Sequence, residues 1–267
     1  MLTAAISADM HSLHHQSSGP RPVQSNLLID GFIAYTFRPP SAELYLSRLL
    51  SGVAPDRLDP IFNQRSVLVP RTCLYRDFHD SHDSQDLVLL DYLPDPKMGT
   101  VVPQRLPTPG AHQRLHTPVF FTQPRSQTDT HPDTRSSDSA GIALLDALNL
   151  DGSLVFKQLG AIDADNVILM LNWPGYPDYA RKQMLWDPKS GRKTDRRLLQ
   201  QVAFFIASFL ESPPAKPGGN DTVDIVQWTV GPAWKELVTI VGLIHVSSTP
   251  NVWMPIIRTG GGFFRIY

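Results

Sequence analysis

The sequence predicts an α+β protein with a mostly antiparallel sheet, one long amphipathic helix packed on it, and an irregular, proline-rich N-terminal part. Short runs of β-branched and aromatic residues alternate with turn residues, which is typical of antiparallel strands. Residues 194–211 carry apolar side chains at helical spacing and form one wide stripe. The chain also has 24 prolines in 267 residues, about twice the usual share, and many of them interrupt the first half.

In the first half, the apolar and aromatic run 26–37 predicts one or two strands. Ser41 is a suitable cap for a helix that continues to about Leu50. Residues 59–62 predict a helical turn. Strands are predicted at 66–69, 86–93 and 117–123.

In the second half, the clearest element is the helix 194–211, for which Thr194 is the predicted cap. Residues 237–246 and 252–257 are predicted to pair as a hairpin across 248–251. A short helix is predicted at 140–148, and strands are predicted at 154–156, 166–171, 183–186 and 224–230.

The composition excludes several classes of protein. Because 24 Lys and Arg face 25 Asp and Glu, no overall positive field attracts nucleic acid or a membrane. The 42% hydrophobic content is enough for a core, and the one cysteine allows neither an intrachain disulfide nor a CxxC motif. No apolar run has the length of a signal peptide or a membrane span. We therefore expect a cytoplasmic or nuclear protein that is not secreted and has no membrane partner.

The texture of the chain predicts five segments. They are a disordered tail (1–26), a loop-rich α+β subdomain (27–123), a disordered linker or insertion (124–139), a compact α+β subdomain (140–258) and a second tail (259–267). The linker is assigned because its residues include no apolar side chain apart from prolines. All five tryptophans follow it, so the second subdomain is predicted to hold the better core.

Four short motifs in the second subdomain form a recurring pattern. They are Trp173-Pro174-Gly175-Tyr176 at the end of a strand, the amphipathic helix Arg196 to Leu210, Trp228-Thr229-Val230-Gly231 and Trp253-Met254-Pro255. With these motifs, residues 167–258 resemble a family of uncharacterised proteins from mushroom-forming basidiomycetes. The resemblance implies a fungal source and carries over no catalytic residue.

A basic cluster is the strongest candidate for a binding site. It lies at the start of the long helix, where the macrodipole disfavours cations and favours a bound anion. Three interpretations stay open: a phosphate or nucleic-acid site, a nuclear address, or a solvated loop partly neutralised by Asp187 and Asp195, of which the sequence favours the last. The cluster consists of Lys189, Arg192, Lys193, Arg196 and Arg197.

Two aromatic residues and several histidines are further candidates. Trp173 and Tyr176 flank a Pro-Gly turn and could form a recognition surface, although packing in the core is the favoured interpretation. His245 lies in an apolar strand and is interpreted as a core histidine. Histidine pairs in polar loops have spacings at which zinc can be bound, and this metal set is His79, His82, His112 and His116.

The sequence contains no coherent catalytic set. We therefore predict a non-enzymatic interaction or regulatory protein that needs no cofactor and has a protein as its partner. One alternative is nucleic-acid or phospholigand binding through the basic cluster at 189–197. The other is a metal-dependent enzyme that uses the histidines at 79–116. The sequence leaves the oligomeric state open.

Overall fold

The computed structural model confirms the predicted fold class, with a mostly antiparallel sheet and one helix of 17 residues. The residues that it describes are 30–50, 61–63, 66–70, 87–94, 98–107, 115–123, 139–150, 154–159, 162, 164–186, 191–215, 228–231 and 233–260. The predicted tail 1–26 lies outside them, as do most of the linker and the last seven residues.

Five helices are found in this part of the chain. They are α1 (Phe32–Phe37), α2 (Ser41–Leu49), α3 (Leu144–Leu148), α4 (Asp195–Glu211) and α5 (Trp234–Leu237). Among these described helices, none has both the length and the apolar character needed to cross a bilayer.

The described strands form two sheets. The smaller sheet has the order β1-β2-β3, from strands Ile61–Asn63, Ser66–Pro70 and Leu87–Tyr92. The larger sheet has nine strands with the main order β10-β9-β12-β11-β5-β6, and β4, β7 and β8 pair beside this path. Its strands are β4 (Thr100–Val101), β5 (Val119–Gln123), β6 (Ser139–Ala140), β7 (Ile142–Ala143), β8 (Lys157–Leu159), β9 (Asn166–Leu171), β10 (Tyr179–Met184), β11 (Val238–Ser248) and β12 (Asn251–Thr259).

The hairpin of β11 and β12 is the centre of the larger sheet, and its prediction is confirmed. β12 then pairs in parallel with β9, and β11 pairs in antiparallel with β5. A Cβ at Gly242 of β11 would collide with the carbonyl oxygen of Val119, so only glycine allows β5 to approach this closely. Since β5 also pairs with β6, the sheet crosses the boundary predicted at 124–139.

Two apolar clusters cover the two faces of this sheet. One cluster contains the buried stripe of α4, including Leu199, Val202 and Phe205, together with Trp173 and Trp253. The other contains the buried side chains of α1 and α2 and the opposite face of β11 and β12. The predicted helix α4 and its cap are confirmed, because the side chain of Thr194 accepts a hydrogen bond from the Arg197 N–H at 3.1 Å.

The strand predicted at 26–37 is wrong for Phe32–Phe37, which form α1. Five of its six side chains are buried, so the helix shows no amphipathic stripe and its apolar run imitates a strand. The carboxylate of Asp91, in β3, accepts hydrogen bonds from the N–H groups of Phe32 at 3.1 Å and Ile33 at 3.2 Å. A residue far away in sequence therefore caps the helix.

Several predicted boundaries are also corrected. The turn predicted at 59–62 includes residues of strand β1, and residues 154–156 have no regular structure. Of the helix predicted at 140–148, only α3 is confirmed. Gly141 has a φ of 112°, which no α-helix contains, so the helix begins after this residue. Of the strand predicted at 224–230, residues 224–227 lie outside the described residues and residues 228–230 form no strand. Strands β2, β3, β5 and β9 confirm their predictions.

Candidate binding surface

Strand β10 forms one end of the nine-stranded sheet and is the candidate binding surface. It pairs residue for residue with β9, from Tyr179 opposite Leu171 to Met184 opposite Asn166, without a bulge. Within the described part of the chain no strand pairs with its other side. The exposed side chains are Ala180, Arg181, Lys182 and Met184.

The side chains of β10 alternate between the two faces of the sheet. On the α4 face, the Tyr179 ring stacks on Phe205 with a centroid distance of 5.1 Å. Gln183 lies on the same face, where its side-chain oxygen is 2.7 Å from the Gln201 amide nitrogen in the orientation that satisfies both groups. Arg181 lies between these two residues on the same face, and its guanidinium is 5.0 Å from the centre of the Tyr179 ring.

The opposite face of β10 presents a different set of side chains. Ala180, Lys182 and Met184 alternate with the residues that face α4, so they lie on this side of the sheet. Lys182 is opposite Ile168 of β9, which packs against the cluster of α1 and α2. Met184 keeps 42% of its surface exposed. The edge therefore carries a cation on each face.

The loop between β9 and β10 holds the strand in place. The buried side chain of Gln104 donates a hydrogen bond to the Pro255 carbonyl at 2.6 Å and accepts one from the Asn172 N–H at 3.3 Å. The Asn172 amide donates to the carboxylate of Asp178, immediately before β10. Asp178 also forms a salt bridge with Arg105 at 3.0 Å. These bonds connect the start of β10 to the centre of the sheet.

The predicted basic cluster is next to the other end of β10. A single β-bridge between Trp186 and Lys193 brings the start of α4 to the strand end. In the same orientation of the Gln201 amide, its oxygen accepts hydrogen bonds from the Arg197 guanidinium at 2.8 and 2.9 Å. The cluster and the edge strand therefore belong to one corner of the molecule.

Each of the four described members of the predicted basic cluster interacts with another part of the chain. Lys193 forms a salt bridge with Asp165 at 3.0 Å, and Asp187, one of the two acids expected to neutralise the loop, lies outside the described residues. Arg196 donates to the Leu154 carbonyl at 3.0 Å, and Arg197 contacts Gln201. Arg192 is exposed and also has an interaction of its own, while Lys189 lies outside the described residues. The N–H groups at the start of α4 are partly satisfied by Thr194.

Arg181 and Lys182 differ from that cluster, and we call these two residues the basic edge. In the part of the chain that the structure describes, neither has an acidic partner. Burial raises the pKa of the Tyr179 phenol, and the charge of Arg181 opposes this shift. The basic edge thus presents two adjacent, exposed cations beside the open side of a strand.

The burial of Trp173 and Tyr176 does not agree with the alternative that they form an aromatic recognition surface. Trp173 is 1% exposed and Tyr176 is 8% exposed, so they present no aromatic surface to a partner. The Trp173 indole N–H donates to the Trp228 carbonyl at 2.8 Å, and the Tyr176 hydroxyl accepts from the Val230 N–H at 3.0 Å. The favoured interpretation, packing of the Trp-Pro-Gly-Tyr turn in the core, is confirmed.

Of the predicted metal set, His79, His82 and His112 lie outside the described residues. His116 is exposed, and its ring is 4.8 Å from that of His245, which is buried as predicted. The Nδ1 atom of His245 accepts a hydrogen bond from the His116 N–H at 2.9 Å. Burial lowers the pKa of His245 to about 4. The described residues hold no group of three or more side chains arranged to bind a metal ion.

No protein-family model, no curated protein and no solved structure matches the chain. The resemblance of residues 167–258 to basidiomycete proteins stays a prediction.

The basic edge was not predicted, because the sequence predicts this strand at 183–186 and the structure has it at Tyr179–Met184. Polar residues at 181–183 hide the alternation that a half-buried strand shows, since β10 exposes side chains on both faces. The available signal was the apolar run of β9 followed by the Pro-Gly turn at 174–175, after which an antiparallel return strand is expected.

Proposed function

We propose that this protein acts by binding another protein, and that it does so by pairing an extended segment of its partner with β10. One observation carries the proposal. β10 is a regular, exposed strand of six residues at the end of the sheet, with no described strand on its outer side. The outward N–H and C=O groups of an edge strand form a template for a further strand.

The other end of the sheet supports this interpretation. There the main path ends in β6, a strand of two residues that offers little backbone for pairing. β8 also pairs with β5 on that side of the sheet. In β10, neither a proline, a bulge nor a short length limits pairing. Only the charges of the basic edge discourage it, and they discourage only some partners.

A neutral peptide that forms strands tests this function. The probe is acetyl-Thr-Val-Asn-Gln-Val-Thr-amide, added to the full chain while the exchange of backbone amide hydrogens is followed by NMR. We expect slower exchange of alternate amides within 179–184, because only the N–H groups on the outer side gain a partner. Protection elsewhere, or none at millimolar peptide, would contradict the proposal.

Two N-methylated forms of the same peptide are the matched controls. Alternate N–H groups of a strand point to the same side, so methylating one alternate set removes the bonds to β10 and methylating the other set leaves them. We expect one form to lose binding and the other to retain it. Equal binding by both forms would show a contact through side chains rather than strand addition.

A further inference from the structure

We propose that the segment which pairs with β10 is acidic and carries two consecutive Asp or Glu residues, one opposite Arg181 and one opposite Lys182. This inference rests on the proposed strand addition and identifies its partner by charge. It follows from the alternation of β10, from the lack of acidic partners for the basic edge among the described residues, and from the exclusion of a second copy of this chain.

The alternation fixes the pattern that the partner needs. Arg181 and Lys182 are neighbours in sequence, so they lie on opposite faces of the sheet. The residues directly opposite them in an added strand are also neighbours and also point to opposite faces. Two consecutive acidic residues therefore meet both cations, whereas acidic residues at alternate positions meet only one. This holds for either direction of the added strand.

The surroundings of the two cations favour an acid over a neutral residue. Within the described residues, the acids near this corner serve other contacts, since Asp165 pairs with Lys193 and Asp178 pairs with Arg105. Residues 164–186 and 191–197 contain six Lys and Arg residues but only three Asp residues. This corner is therefore positive in a chain whose net charge is −1. An acidic strand gains from this local excess without any rearrangement.

A second copy of the same edge does not fit. When two β10 strands pair in antiparallel, Arg181 and Lys182 of one copy face the same region of the other, and like charges opposite each other destabilise a pair. The basic edge thus acts against self-association and in favour of an acidic strand. On the face of Lys182, its two neighbours along the strand are the apolar residues Ala180 and Met184. A β-branched residue therefore suits the position opposite Ala180.

Two peptides of one shape test the inference. Acetyl-Thr-Val-Asp-Glu-Val-Thr-amide and its Asn-Gln counterpart differ only in charge, and their affinities for the full chain are compared by fluorescence anisotropy of labelled forms. We expect the acidic peptide to bind about tenfold more tightly at low salt, since each exposed cross-strand ion pair contributes modestly. The preference should shrink as added salt screens the charges.

Variants without the two charges test whether the preference for the acidic peptide depends on Arg181 and Lys182. In Arg181→Gln/Lys182→Gln, the two peptides should bind equally. The matched control is Arg38→Gln/Lys157→Gln, which removes two exposed cations elsewhere and should keep the tenfold preference. Unchanged thermal unfolding of both variants shows that the fold is intact.

The outcomes separate the two proposals. If both peptides bind unmodified protein equally, the acidic partner is wrong while strand addition stands. If neither peptide protects β10, strand addition itself is wrong. If a short oligothymidylate displaces the acidic peptide and depends on Arg181 and Lys182, the edge is a nucleic-acid site and the acidic strand is overturned. Failure of the oligonucleotide to compete supports the acidic strand.

Discussion

The Asp91 carboxyl group and the basic edge are two polar regions with opposite arrangements. Asp91 is fully buried and accepts N–H bonds from Phe32, Ile33 and Tyr92. Arg181 and Lys182 are exposed and have no acidic partner among the described residues. The first region uses its polar group to join α1 to β3. The second leaves its charges available to solvent and to a partner.

This difference separates polar groups that stabilise the fold from those that are available to bind a partner. A buried acceptor with several backbone donors costs much to remove, because each donor loses its partner in a place that water does not reach. An exposed cation at a strand edge costs little to remove, since water replaces what is lost. Stability and binding should therefore respond to different substitutions.

Removing the Asp91 carboxylate should have the largest effect. We expect Asp91→Ala to lower the free energy of unfolding by about 3 kcal/mol or more, because three buried N–H groups lose their acceptor. Arg181→Gln/Lys182→Gln is the counterpart and should change it by less than about 0.5 kcal/mol. Urea unfolding of both variants measures this. A large loss in the β10 variant, or none at Asp91, would remove the distinction between the two regions.

A smaller effect is expected from pH. Burial raises the pKa of Asp91 to about 8, while its N–H donors oppose the shift. The folded protein thus keeps a proton that the unfolded chain, with a pKa near 3.8, has released. The stability associated with the protonated carboxyl is complete below about pH 4 and is lost as the pH rises to about 8.

The Asp91→Asn variant isolates this dependence. Burial lowers the pKa of His245 from 6.5 to about 4. The contribution of His245 to the free energy of unfolding therefore increases from about pH 4 to pH 6.5, while the contribution of Asp91 decreases over the same range. Between pH 6.5 and 8, of these two groups only Asp91 still changes the free energy of unfolding. We expect the urea midpoint of the unmodified protein to fall over this range relative to Asp91→Asn. Parallel curves would contradict the raised pKa.

The parts of the fold that the sequence predicts well are those whose signal is local. The stripe of α4 and its Thr194 cap lie within one helix, and the β11–β12 hairpin has its turn between its strands. The failures depend on distant contacts. α1 is capped by Asp91 from another element, and its buried surroundings remove the amphipathic pattern.

The candidate site was predicted only in part, for the same reason. The predicted basic cluster at 189–197 lies at the same corner of the molecule as the basic edge. It could not show that Lys193 pairs with Asp165 or that Arg196 binds the Leu154 carbonyl, because these contacts join separate segments. Nor could it show that Arg181 and Lys182 lie on an open edge, since edge position is a property of the whole sheet.

The most direct test of the central claim is an NMR measurement of cross-strand contacts in the complex with the acidic peptide. Nuclear Overhauser contacts should connect backbone protons of the peptide to those of 179–184, with its acidic pair opposite Arg181 and Lys182. Contacts confined to 192–197 at the start of α4 would contradict strand addition and assign binding to the cluster beside it.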